Sequence, residues 1–122
     1  MAAHVLLIED EPHIAEAIRF ILTRDGCRVS LHGGGPDAVK AVSTARPDVL
    51  ILDVMLPGIS GFDILSALRA DPATEHLPVL MLTAKGQGRD REAAQRAGAS
   101  LFISKPFSNA EILAAVRSLV AG

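Results

Sequence analysis

The feature that most constrains this chain is an unbroken apolar run, VLIL at residues 49–52, that ends in the carboxylate of Asp53. Consecutive apolar residues without alternation are typical of a strand that is buried on both faces, as in a parallel sheet covered by helices. A turn follows at Pro57 and Gly58. Because open α/β sheets bind their ligands beyond the carboxyl ends of the strands, the position of Asp53 predicts a functional role for its side chain.

The composition narrows the class of protein. The 122 residues suit one domain with one core, so we interpret residues 1–122 as a single domain. There is no Trp or Tyr, and the formal net charge is −2, so we expect no direct binding of nucleic acid or of an anionic membrane. The one cysteine, Cys27, excludes an internal disulfide. No signal sequence or membrane-spanning apolar run occurs, which predicts a cytoplasmic protein.

Short apolar runs alternate along the chain with segments of helical period. Strands are predicted at residues 4–8, 27–31, 49–52, 78–82 and 101–103, and helices at residues 12–24, 36–45, 61–70, 89–97 and from 108 onward. Five strand–helix units predict an α/β fold, a doubly wound five-stranded parallel sheet of the flavodoxin-like (βα)₅ type with strand order 2-1-3-4-5. The second strand alternates apolar and polar residues, which favours a place at the sheet edge.

Polar side chains follow four of these strands: Glu9 and Asp10, then Asp53, then Thr83, then Lys105. All these ends lie at one edge of a parallel sheet, so residues far apart in sequence can converge there. Clustered carboxylates repel one another unless a cation intervenes, and their oxygens suit Mg²⁺. The lysine and the threonine hydroxyl can bind anionic oxygens. Because carboxylates are nucleophiles toward phosphorus, the set predicts phosphoryl transfer onto Asp53, with Mg²⁺ and Lys105 offsetting the charge.

Four motifs, in order and each at a strand end, resemble the receiver domain of two-component response regulators: LIEDEP at residues 7–12, ILDVMLPG at 51–58, LTA at 82–84 and KPF at 105–107. The resemblance covers essentially the whole chain. It implies a phosphorylation-dependent signalling switch that receives a phosphoryl group from a sensor histidine kinase or a phosphotransfer protein. The surface of the fourth helix, last strand and last helix would then control an output partner. It implies no turnover enzyme, only assistance to the domain's own phosphorylation and slow dephosphorylation.

The resemblance also implies roles for individual residues at the metal site. Asp53 would be the phosphoacceptor, and Asp10 and Asp53 would bind Mg²⁺ directly. The main-chain carbonyl of Met55 would be a further ligand, and Glu9 would act through a metal-bound water.

The same resemblance assigns the residues that respond to phosphorylation. Thr83 would contact the phosphoryl group, and Lys105 would pair with it. Phe102 lies where the family carries its switch aromatic, which is more often Tyr. Since Phe has no hydroxyl, any coupling between Thr83 and Phe102 has to operate by packing.

Other interpretations remain open at this point. One is a phosphorylation-independent interaction module of the same fold. Another is a cofactor-binding flavodoxin-like protein, although no G-x-G-x-x-G follows the first strand. A third is a hydrolase with an aspartyl-phosphate intermediate, although Val54 and Met55 stand where such enzymes commonly carry a second acid.

Two surface helices have competing interpretations as well. Arg89, Arg91 and Arg96 are interpreted as one solvated helix face. The last helix has little charge and several small residues, so a partner helix or a second copy of the chain could pack on it, as in a homodimer. A helix that packs only on its own sheet is the alternative.

Overall fold

The computed structural model describes residues 2–83 and 88–121 of the chain. Its strands are β1 His4–Ile8, β2 Arg28–His32, β3 Val49–Asp53, β4 Val79–Thr83 and β5 Leu101–Ser104. Its helices are α1 Pro12–Arg24, α2 Ala38–Ala45, α3 Gly61–Ala70, α4 Gly88–Ala97 and α5 Asn109–Ala121. Ala84, the last residue of the LTA motif, and the side chain of Arg89 lie outside the described residues.

The strands form one parallel sheet in the order β2-β1-β3-β4-β5, so the predicted α/β architecture is confirmed. The register aligns the carboxyl ends of the central strands. Ile8 is opposite Leu52, and Thr83 is opposite Ser104. The residues that follow these positions therefore emerge at one edge of the sheet.

Helices cover both faces of the sheet, which is why the strand sequences lack alternation. One core packs alternate strand residues against α2, α3 and α4; its strand members are Leu6, Ile8, Leu50, Leu52, Val79 and Met81. The other core packs the remaining strand residues against α1 and α5; its strand members are Val5, Leu7, Val49, Ile51, Leu80 and Leu82. We call these the α3-side core and the α1-side core.

Side chains and tight turns set the helix ends. Ser108 and Glu111 form a reciprocal capping box, with hydrogen bonds of 2.9 and 3.1 Å to each other's main-chain amides. Glu11 caps α1, because its carboxylate accepts hydrogen bonds from the amides of His13 and Ile14. The Lys105–Pro106 peptide bond is cis, an isomer that the sequence leaves open.

Both elements that flank the β2–α2 loop differ from the prediction in their boundaries. Strand β2 begins and ends one residue later than expected, and α2 begins at Ala38 instead of residue 36. Gly34 and Gly35 turn the chain with φ angles of 93° and 96°. Asp37, the residue before α2, has a ψ angle of 6° and is not yet helical. Strand β2 lies at the sheet edge as predicted.

None of the helices in the described part of the chain has the length and apolar character needed to cross a membrane.

Candidate functional site

The ends of β1 and β3 bring three acids together. One carboxylate oxygen from each of Glu9, Asp10 and Asp53 can be chosen so that all lie within 4.8 Å of one another. Glu9 and Asp53 are only 5% and 2% exposed, whereas Asp10 faces solvent. The predicted convergence of these three residues is therefore present, with one open side through which a ligand can approach.

Lys105 is the cation of this cluster. Its ammonium nitrogen Nζ lies 3.0 Å from Oδ2 of Asp53 and 3.2 Å from Oε1 of Glu9. The main chain holds the lysine in place, because its amide donates a hydrogen bond of 2.9 Å to the carbonyl of Thr83 at the end of β4. One lysine thus contacts acids that come from two different strands.

The charges in the cluster do not balance. The pKa of Glu9 is raised from its ordinary 4.5 to about 7, first by burial and then by the hydrogen bond and the charge of Asp53, against the opposing effects of the Glu11 amide and Lys105. Burial lowers the pKa of Lys105, but the ion pairs with Asp53 and Glu9 outweigh it and hold that pKa above its ordinary value. With all three acids ionised and Lys105 protonated, the cluster would carry a net charge of −2. A proton on Glu9 or a bound cation relieves this repulsion.

The donor set fits a hard divalent cation. Each of the three grouped side chains offers a carboxylate oxygen, two of them are nearly fully buried, and Mg²⁺ prefers such oxygens. The excess negative charge and the raised pKa of Glu9 are the physical signs that the site is built to hold a further positive charge.

The loop after Asp53 depends on a glycine that the sequence analysis did not single out. Gly61, the first residue of α3, donates its amide hydrogen to the carbonyl of Val54 at 3.0 Å. A Cβ atom at this position would lie 2.2 Å from the main-chain oxygen of Asp53. Only glycine allows α3 to begin so close to the end of β3, and a glycine at a helix start was the available signal.

The Met55 side chain is 70% exposed, and its amide donates to Oδ1 of Asp53 at 3.3 Å.

Thr83 lies at the same edge of the sheet, but β5 engages its hydroxyl. The Oγ1 atom is 3.4 Å from the carbonyl of Ile103, to which it can donate, and 3.3 Å from Oγ of Ser104. Both distances are long for hydrogen bonds of a hydroxyl. Ser104 is a partner that the sequence analysis missed, because the pairing follows only from the strand register.

Phe102 is half-buried and packs against the α3-side core. The guanidinium carbon of Arg91 lies 4.5 Å from the centroid of its ring. Arg91 and Arg96 are exposed, as expected for a solvated helix face, but the contact between Arg91 and Phe102 was not predicted.

The protein is a (βα)₅ domain with a doubly wound parallel sheet. The three acids and the lysine at the carboxyl edge of this sheet can bind a cation and an anionic group. The chain belongs to the response regulator receiver domain family, whose family model matches residues 5–117. Receiver domains are signalling domains of two-component systems and bind Mg²⁺ at an acidic pocket. The family predicted from the sequence is thereby confirmed, and a phosphorylation-dependent switch is consistent with this membership.

Curated relatives are transcriptional regulators. The chain is 42% identical over 116 residues to the probable transcriptional regulatory protein TcrX of Mycobacterium tuberculosis. The matched region covers 95% of this chain and 49% of TcrX. It is 37% identical over 120 residues to the phosphate regulon transcriptional regulatory protein PhoB of Rhizobium meliloti, covering 98% and 53%. The chain spans about half the length of the curated relatives it matches.

Solved structures agree with this fold. A putative response regulator from Chloroflexus aurantiacus has a TM-score of 0.96 and 34% identity, with each chain covered completely. The receiver domain of the sensor histidine kinase PA1611 from Pseudomonas aeruginosa has a TM-score of 0.91 and 30% identity, again with complete coverage of both chains. The latter structure has a magnesium ion coordinated in its active site cleft.

Proposed function

We propose that Asp53 accepts a phosphoryl group from a sensor histidine kinase or a phosphotransfer protein, and that the domain passes this event to an output partner. The observation that carries the proposal is the cluster itself. A nearly fully buried carboxylate lies 3.0 Å from a lysine nitrogen and shares its site with two further acids. The transfer forms a bond between a carboxylate oxygen of Asp53 and phosphorus. The bond from phosphorus to the donor's leaving atom breaks, and an acyl phosphate results.

In this proposal Asp10 and Asp53 would hold Mg²⁺ directly, the main-chain carbonyl of Met55 would be a further ligand, and Glu9 would act through a water. Bound Mg²⁺ supplies positive charge that offsets the acids and the phosphoryl oxygens. The support is the oxygen-only donor set and its excess negative charge.

Lys105 has the second charge-offsetting role. Its ammonium group already contacts Oδ2 of Asp53, so it can pair with an oxygen of a phosphoryl group attached to that side chain. Lys105 would offset charge during both the formation and the hydrolysis of the acyl phosphate. The domain would thus assist its own phosphorylation and slow dephosphorylation without acting as a turnover enzyme.

Thr83 and Phe102 carry the signal in the proposal. The hydroxyl of Thr83 has only long contacts to β5, so little free energy opposes its rotation toward a phosphoryl oxygen. Phe102 lies on the same face of the sheet, two residues before Ser104, and would respond by packing. The changed surface would comprise α4, β5 and α5, where an output domain or protein, or a second copy of the chain, would bind.

The test is labelling by acetyl phosphate in the presence of Mg²⁺, followed by intact mass. We expect wild-type protein to gain one phosphoryl group and Asp53→Asn to gain none. Asp63→Asn, which removes an exposed carboxylate from α3, is the matched control and should label like wild type. Unchanged labelling of Asp53→Asn would contradict the assignment. A wild-type protein that neither labels nor binds Mg²⁺ would support a phosphorylation-independent interaction module instead.

A further inference from the structure

The contact between Arg91 and Phe102 joins α4 to β5. At 4.5 Å from the ring centroid, the guanidinium carbon of Arg91 lies well within the distance at which a cation is attracted to an aromatic face. Arg91 is exposed, and Phe102 is half-buried against the α3-side core. The stacking therefore covers part of a ring that would otherwise face solvent.

Helix α4 has few other anchors among its described side chains. Ala94 is fully buried, and Ala97 packs partly against the α3-side core. The end of the helix is held from outside, because Nε of Arg69 donates to the carbonyl of Gly98 at 2.9 Å. Arg91 lies toward the other end of α4, so its contact with Phe102 restrains the half of the helix that follows the β4–α4 connection.

Strand β5 links this contact to the state of Thr83. Phe102 and Ser104 are two residues apart on one strand and so point to the same face of the sheet. Ser104 contacts the hydroxyl of Thr83, and Phe102 holds Arg91. The described arrangement thus combines a Thr83 hydroxyl engaged by β5 with a Phe102 ring covered by Arg91.

We propose that the stacking of Arg91 on Phe102 is an autoinhibitory contact, because it stabilises the unphosphorylated arrangement of α4 and β5. The inference rests on the proposed function, in which a phosphoryl group on Asp53 draws Thr83 away from β5. A contact made in only one of two states shifts their equilibrium by its own free energy. Removing it therefore favours the phosphorylated arrangement without any change at Asp53.

The experiment titrates the protein with beryllofluoride, an anion that mimics a phosphoryl group, in excess Mg²⁺. Main-chain amide resonances in β4 report saturation by nuclear magnetic resonance. We expect Arg91→Ala to lower the half-saturating concentration about two- to five-fold, the factor that an exposed cation–π contact supplies. Arg91→Lys keeps the cation and should lie between Arg91→Ala and wild type.

The matched control is Arg96→Ala, which removes the same charge from the same exposed helix. It should leave the half-saturating concentration at the wild-type value. Phe102→Leu removes the ring and keeps an apolar side chain, so Arg91→Ala should have no further effect in that background. A ring-current shift of the Arg91 Nε–H resonance, lost in Phe102→Leu, would support the contact directly.

The outcomes separate the two proposals. A wild-type protein that gives no response to beryllofluoride overturns the proposed function, and the autoinhibitory role with it. A wild-type protein that responds, with Arg91→Ala equal to Arg96→Ala or weaker than wild type, overturns the role of Arg91 alone. An Arg91→Ala effect that persists unchanged in Phe102→Leu also overturns it, because the effect would not pass through the ring.

Discussion

Replacement of Glu9 by Gln should stabilise the metal-free protein at high pH. The folded state raises the pKa of Glu9 from 4.5 to about 7, chiefly because the side chain is buried and faces Asp53. A raised pKa means that the folded state binds the proton more tightly than the unfolded state does. The contribution of Glu9 to stability is therefore fully present below pH 4.5 and is lost as the pH rises through about 7.

The size of the effect follows from the two pKa values. Relative to the protonated form, ionisation of Glu9 lowers the free energy of unfolding by about 1 kcal/mol at pH 5 and about 3 kcal/mol at pH 8. Glutamine cannot ionise and has nearly the same shape, so it avoids this loss. The advantage of Glu9→Gln over wild type should grow by about 2 kcal/mol between these pH values, or about 8 °C in Tm.

Denaturant unfolding in EDTA at both pH values measures this difference. Glu16→Gln, which removes an exposed carboxylate from α1, is the control. Its effect should stay within about 0.5 kcal/mol of wild type at both pH values. An advantage of Glu9→Gln that is the same at pH 5 and pH 8 would refute the reasoning, because the charge of Glu9 would then not be the cause. Excess Mg²⁺ should reduce the advantage at pH 8, since a cation stabilises the ionised acid.

Three further changes test the structure around the site. Lys105→Met should lower the free energy of unfolding by about 2 kcal/mol at pH 8 in EDTA. This loss is smaller than for a fully buried ion pair, because the lysine side chain is 26% exposed. Urea unfolding followed by circular dichroism should show a smaller loss at pH 5, where Glu9 is protonated. Gly61→Ala should destabilise by about 3 kcal/mol or more, since its Cβ would overlap the main chain of Asp53, whereas Gly33→Ala, with open space around it, should change Tm little. Ser108→Ala should lose about 1 kcal/mol through the capping box, and an unchanged Tm would contradict that role.

The strands and the acid cluster were predictable because they depend on local sequence and on one topological rule. Apolar runs without alternation mark strands buried on both faces, and a parallel sheet places all carboxyl ends at one edge. Those two facts bring Glu9, Asp53 and Lys105 together without any knowledge of side-chain contacts. The isomer of the Lys105–Pro106 bond lies beyond this reasoning, because both forms are accessible to a residue before proline.

The parts that were not predicted depend on positive φ angles or on contacts between distant elements. The turn that begins at Gly34 and Gly35 extends to Asp37, and no periodic pattern encodes where it ends and α2 begins. The cap of α1 is Glu11, a residue type outside the usual N-cap set, so propensity gave no signal for it. Arg91 looked like a solvated residue because helical periodicity cannot reveal a partner on β5.

The imbalance of charge at the sheet edge joins the stability of this domain to its proposed function. Lys105 serves both Glu9 and Asp53, and a lysine that pairs with a phosphoryl oxygen on Asp53 has less charge to share with Glu9. Glu9 then needs a proton or a cation, so phosphorylation at high pH should favour occupation of the metal site. By linkage, a cation that binds only the folded protein also stabilises it. A neutral residue at position 9 would make the metal-free fold more stable at high pH and reduce this dependence, which is a physical reason for an acid in a place where it weakens the fold.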